Sequence, residues 1–113
     1  MDNSFFTRAY SLIKNTQNIL VATHDHPDGD AIASTCLMAE ILTSLNKKFR
    51  LYCPSPVNQP DDFLPHSEKF IDRCEDFDFD LIIILDCGTI KRTKLEREII
   101  NRRPGQLVLE IDH

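Results

Sequence analysis

Positive charge is scarce in this chain: 13 Lys and Arg stand against 18 Asp and Glu, a formal net charge of −5. That balance excludes a broad electrostatic nucleic-acid binder. It leaves room for a nucleotide substrate, because a bound metal can invert the local sign. Long apolar runs are missing too. No stretch approaches the about 20 residues of a membrane span, so no membrane partner is expected. The opening "MDNSFFTRAYSLIKNTQ" carries acidic Asp2 and only a broken apolar run, which excludes a signal peptide reading. The four cysteines, Cys36, Cys53, Cys74 and Cys87, form no CxxC pair and no zinc-like spacing. They read as reduced, mostly core cysteines of a cytoplasmic protein. Repeats and low-complexity segments are absent. What is present suits a packed core: 42% of the 113 residues are hydrophobic and 8% aromatic, which excludes disorder and points to one domain or part of one.

Strand and helix patterns alternate along the chain. Phe5, Phe6, Ala9, Leu12 and Ile13 recur at helical spacing within residues 4–16. "NILVATH" (18–24) is a short apolar strand, and a helix is predicted from Ala31 to Leu45, with Ile32, Cys36, Ala39, Ile41 and Leu42 in period. "KFRLYC" (48–53) is a second strand, followed by a loop holding Pro54, Pro56, Pro60 and Pro65. A short helix is predicted around Ser67–Arg73. "DLIIILDC" (80–87) is apolar on both faces and therefore a central, parallel strand. "KLEREIINR" (94–102) reads as a helix stopped by Pro104 and Gly105, and "QLVLEID" (106–112) as a fourth strand. This alternation predicts βαβ units, hence a doubly wound, mostly parallel α/β sheet with helices on both faces.

The stretch "HDHPDGDA" (24–31) then stands out, with two histidines and three aspartates in seven positions at the end of an apolar strand. In open parallel sheets, ligands bind outside the carboxyl ends of the strands. The first strand runs into His24, Asp28 and Asp30. The "LIIILD" strand delivers Asp86, followed by Gly88, and the last strand delivers Asp112 and His113. Each residue also has a plain structural explanation: Asp30 as a helix cap, Asp86 as a turn cap, His113 as an ordinary terminal histidine. Taken together, the clusters share one kind of place, a strand's carboxyl end. Carboxylates crowded there would repel and take up protons unless a divalent metal offset their charge. An EF-hand is excluded, since the oxygen-ligand spacing and closing Glu are absent from both Asp25 and Asp28. A phosphate-binding P-loop is excluded by the lack of G-x-x-x-x-G-K.

"ATHDHPDGDAIAS" (22–34), "IIILDCG" (82–88) and "LEIDH" (109–113) resemble, in order and spacing, the first three motifs of the DHH phosphoesterase superfamily. Its members include the exonuclease RecJ, the oligoribonuclease/pAp phosphatase group and family II inorganic pyrophosphatases. The first motif is most similar to the oligoribonuclease/pAp phosphatase branch. It departs from that branch at His26, where Asn is common, and at Ala33, where Gly is common. The third motif is normally Asp-His-His, whereas this chain stops after His113. The resemblance therefore implies that residues 1–113 form the front of a DHH catalytic domain. The rest of that domain and a C-terminal DHH-associated domain would lie outside it.

By position, the resemblance implies a two-metal centre. His24 and Asp28 would hold one metal and Asp30 and His113 the other, with Asp86 bridging and Asp112 supporting from behind. Asp86 and His113 would take the catalytic roles, and His26 would be a polar turn residue or touch substrate. A carboxylate-rich set with two imidazoles suits Mn²⁺, with Mg²⁺ as the second candidate. A pair of ions roughly 3.5–4 Å apart activates water for in-line displacement. The expected substrate is a short single-stranded oligonucleotide or a nucleotide such as 3'-phosphoadenosine 5'-phosphate (pAp). A manganese-dependent pyrophosphatase and a non-catalytic nucleotide-binding module are the competing readings, and the isolated 113-residue piece is expected to be inactive.

Overall fold

The computed structural model describes residues 3–55, 66, 69–85 and 90–111, with side chains from Thr7 onward. The N-terminal pattern forms a helix, α1 (Asn3–Lys14), that turns Ala9 and Ile13 inward. Phe5 and Phe6, expected on the same face, have side chains outside the described residues. Next comes β1 (Asn18–Ala22), buried from Ile19 to Ala22. The second helix, α2 (Gly29–Ser44), starts two residues earlier than its periodicity implied because Asp28 caps it. It buries Ala31, Ile32, Thr35, Cys36, Ala39 and Leu42, a spacing that keeps one stripe on the core. Asn46, at φ 58°, takes the left-handed conformation that closes the helix.

Three of the expected strands follow as β2 (Lys48–Tyr52), β4 (Leu81–Leu85) and β5 (Leu107–Ile111). Between β2 and β4 the prediction fails. Within the predicted helix Ser67–Arg73, residues 67 and 68 lie outside the described residues and Lys69 is in a 3₁₀ turn, but Phe70 and Ile71 form a short strand, β3, that pairs in parallel with Leu51 and Tyr52. The amide of Cys53 extends the pairing by donating to the Ile71 carbonyl at 3.0 Å. Phe70 and Ile71 are aromatic and β-branched, types that favour a strand where a sheet edge is open to them. The predicted helix of residues 94–102 is shorter as well. A 3₁₀ turn covers Ile90–Thr93 and α3 only Glu96–Ile100. Lys94, at φ 61°, separates them, and Thr93 Oγ1 accepts from the Leu95 amide at 3.1 Å.

All strand pairings are parallel, in the order β3-β2-β1-β4-β5. Alternate residues of the central strands feed opposite cores, as the two-residue period of a strand requires. Ile19, Val21, Leu51, Leu81, Ile83 and Leu85 pack on one face with Ile13 of α1 and Ala39 and Leu42 of α2. Leu20, Ala22, Tyr52, Ile82 and Ile84 pack on the other with Phe79, Leu95 and Ile99. Helices thus cover both faces, and the fold is a doubly wound α/β sheet. Among the described residues no helix is long and apolar enough to cross a membrane.

Candidate functional site

The strand order reverses beside β1. From β1 the chain moves outward through β2 to β3, then returns to place β4 on the other side of β1 and β5 beyond it. Because β1, β4 and β5 are parallel neighbours, their carboxyl ends share one sheet edge, with Ala22 level with Ile84 and Leu85 level with Ile111. A crevice opens at such a reversal because the flanking connections leave to opposite faces. The sequence places His24 just after β1, Asp86 just after β4, and Asp112 and His113 just after β5. Asp86, Asp112 and His113 themselves lie outside the described residues, as does Gly88.

Residues 23–31 are held firmly at this edge. Thr23, fully buried, donates its amide to the Tyr52 carbonyl at 3.0 Å and its hydroxyl to the Leu85 carbonyl at 3.5 Å, which joins the tips of β1, β2 and β4. His24 is only 7% exposed, and its Nδ1 lies 2.6 Å from the Asp25 carbonyl oxygen. That oxygen can only accept a hydrogen bond. The Cys53 thiol donates to the His24 carbonyl at 3.5 Å, and its burial pushes its pKa up. His26 is exposed in a left-handed turn, φ 49°, with its amide donating to Ser55 Oγ at 3.0 Å. Its place in an exposed turn is compatible with either role expected of it, a polar turn residue or a contact to substrate.

Asp28 caps α2: its Oδ1 accepts from the Ala31 amide at 2.8 Å and its carbonyl from Ile32 at 3.1 Å. The capping role considered for Asp30 thus belongs to Asp28, since the helix begins at Gly29 and Asp30 already lies within its first turn, exposed. A carboxylate has lone pairs to spare after one such bond, so capping leaves Oδ2 of Asp28 available. Among the described residues no three His, Cys, Asp or Glu side chains converge closely enough to hold a cation. His24, Asp28 and Asp30 share the loop and the edge without forming a complete ligand set by themselves.

The structure adds partners that sequence reasoning missed. Arg92, on the 3₁₀ turn after β4, reaches across to the β1 loop. Its Nε donates to Asp25 Oδ1 and its Nη2 to the Asp25 carbonyl, both at 3.2 Å, and Nη2 lies 3.0 Å from His24 Nδ1. In return, the Asp25 amide donates to the Arg92 carbonyl at 2.8 Å. Lys94 Nζ stands 3.7 Å from Asp25 Oδ2. Desolvation works against the charge on Asp25, but the Arg92 hydrogen bond and the positive charges of Lys94 and Arg92 outweigh it and hold the carboxyl below the usual range. The one available signal was the basic run Lys91-Arg92 close behind an acidic strand end. Assigning Lys94 to a helix hid it.

Residues 18–113 match the family model described as the DHH family, N-terminal domain. The chain belongs to the DHH family. A solved structure with the same fold is an exopolyphosphatase-related protein from Bacteroides fragilis, with a TM-score of 0.84 and 25% sequence identity. The match covers 99% of this chain and 35% of that one, so the DHH chain described here spans about a third of its neighbour's length. No curated protein matches the sequence.

The donors present in this DHH chain fit a divalent cation. A nearly buried imidazole with Nδ1 turned to a carbonyl offers Nε2, which meets no partner among the described residues. Metal-bound histidines ordinarily carry such a support on their other nitrogen. Asp28 and Asp30 follow it in the same loop, Asp28 with one oxygen not used in capping, and that mix of hard oxygen donors and imidazole suits Mn²⁺ or Mg²⁺ better than a thiolate-selective ion.

Proposed function

We propose that the protein of which this chain forms part is a metal-dependent phosphohydrolase. The edge at the strand reversal would be its reaction centre. The observation that supports this reading is the alignment of β1, β4 and β5, whose carboxyl ends share one sheet edge and are followed in the sequence by His24, Asp28 and Asp30, by Asp86, and by Asp112 and His113. In the proposed centre His24, Asp28, Asp30, Asp86 and His113 hold two divalent ions, with Mn²⁺ preferred, and Asp112 steadies His113. Those ions would supply an activated water and charge neutralisation for the phosphoryl oxygens.

The chain's own residues would fix and shield the centre. Thr23 ties the tips of three strands together, and the Asp25 carbonyl orients His24. Asp28 anchors the first turn of α2, whose N-terminal amides favour a phosphate nearby. The acidic surface is compatible with a small anionic substrate, because the metals and nearby Arg92 and Lys94 offset the charge locally.

The substrate class proposed is a phosphoester of a short oligonucleotide or pAp, in line with the first motif's similarity to the oligoribonuclease/pAp phosphatase branch. A second reading has its own support: the structural neighbour is named for exopolyphosphatase, which points to phosphoanhydrides. Assaying the intact protein with Mn²⁺ on a dinucleotide, pAp, pyrophosphate and polyphosphate separates the two. Turnover of the dinucleotide or pAp is the expected result. Turnover confined to pyrophosphate or polyphosphate would replace the nucleotide reading, and turnover of none would reject the hydrolase.

A further inference from the structure

We infer that Arg92 is a positioning residue for the candidate centre: it clamps the Asp25 peptide so that His24 carries its proton on Nδ1 and presents Nε2 as the donor atom. This rests on the reading of His24 as a metal donor.

The Asp25 carbonyl oxygen lies 2.6 Å from His24 Nδ1 and 3.2 Å from Arg92 Nη2. A guanidinium has donors only, and a carbonyl oxygen has two lone pairs, so this single oxygen accepts from both groups. Nη2 also lies 3.0 Å from Nδ1, a contact that would serve only the opposite tautomer, and the shorter 2.6 Å contact with the carbonyl is the one that sets the proton. The opposite assignment would have Nδ1 accept from Arg92. It would set a nitrogen lone pair against a carbonyl lone pair at 2.6 Å and put the proton on Nε2, where no metal could bind.

Free histidine favours the proton on Nε2, so something must hold the other tautomer. A carbonyl on a loop does so only while its peptide is fixed. Arg92 fixes it from two sides, through the Asp25 carboxylate with Nε and through the carbonyl with Nη2, and its own carbonyl accepts the Asp25 amide. Lysine would supply charge without this two-point geometry. Arg92 enters the chain after β4, so it also couples the two sides of the strand reversal.

The test reads the tautomer directly, by nitrogen-15 NMR of labelled histidine in the intact, metal-free protein near pH 8, with Mn²⁺ affinity measured in parallel. In the wild type, His24 should show the Nδ1–H tautomer. In Arg92→Ala, and also in Arg92→Lys, it should shift toward Nε2–H, and Mn²⁺ affinity should fall about 10–100-fold, as for the loss of other outer partners of metal-bound histidine. An Nε2–H tautomer in the wild type would overturn the proposal. So would variants that keep Nδ1–H and bind Mn²⁺ within about two-fold of wild type. Should Arg92→Ala not fold, the wild type and Arg92→Lys decide. A wild type that binds no Mn²⁺ yet shows the Arg92-dependent tautomer would reject the metal reading and keep the positioning role.

Discussion

Asp28 is asked to do two things, cap α2 and bind a cation, and the chemistry of a carboxylate allows both. The Ala31 amide occupies Oδ1 at 2.8 Å. Two substitutions separate the roles. Asp28→Ala removes the cap and should lower stability by about 1 kcal/mol, within the usual range of about 0.5–2 for an N-cap. Asp28→Asn keeps a capping oxygen, so thermal denaturation should show near-wild-type stability, while Mn²⁺ affinity by calorimetry should drop at least about 10-fold. Equal metal affinity in both variants and wild type would remove Asp28 from the centre. Cys74 offers a check on local electrostatics. Burial, with help from nearby Glu98 and some opposition from Arg50, pushes its thiol up to about 11. Since only the thiolate reacts, Cys74 in the native protein should be alkylated by iodoacetamide at neutral pH about 100-fold more slowly than an unfolded control, and faster as pH rises toward 11. At this scale the sequence marked His24, Asp28 and Asp30 as candidates because they crowd one short stretch at a strand end. Asp25 and Arg92 stayed hidden: their importance lies in a main-chain carbonyl and in a contact across 67 residues, and side-chain spacing records neither.

The elements differ in how plainly the sequence announced them. β1 and β4 were evident because continuous burial leaves an unbroken apolar run, and α2 because its small and apolar residues repeat in period. β3 was not, since two residues make no period and it exists only because β2 presents an open edge. The 3₁₀ turn of Ile90–Thr93 was also unforeseen, and in the proposed centre it would carry the positioning residue Arg92. Tyr52, at the tip of β2, donates its hydroxyl to the buried Thr93 carbonyl at 2.7 Å, and burial raises the phenol's pKa, which keeps it a donor. The turn is thus bolted to β2 by Tyr52 and to the β1 loop by Arg92. Tyr52→Phe leaves the Thr93 carbonyl buried without that partner, so unfolding in urea should show a loss of about 1–3 kcal/mol. Because the turn carries Arg92, Mn²⁺ affinity should weaken in the same variant. A variant as stable as wild type would mean that water or another donor replaces the phenol.

At the scale of the molecule, the doubly wound topology followed from alternating patterns, and the proposed location of the site rests on that topology. β1 and β4 flank the reversal, and their inward residues form the most buried part of both cores. Ile83 is fully buried at the centre of β4, and Ile83→Ala should cost about 2–5 kcal/mol in denaturant unfolding. That is a large share of the about 5–15 kcal/mol expected for a whole domain. An effect below about 1 kcal/mol would show that β4 is not the packed centre of the sheet. Sequence patterns stop short of the donor set itself. They show which strand ends carry acidic residues, but not whether the side chains turn inward, and Asp28 illustrates why, with one oxygen already committed to a helix. The decisive measurement is anomalous diffraction at the manganese edge from crystals of the intact protein grown with Mn²⁺. The expected result is anomalous density at the β1–β4 edge, coordinated by His24 Nε2, Asp28, Asp30 and Asp86. Mn²⁺ sites elsewhere on the molecule, with His24 and the three aspartates free of metal, would contradict the account.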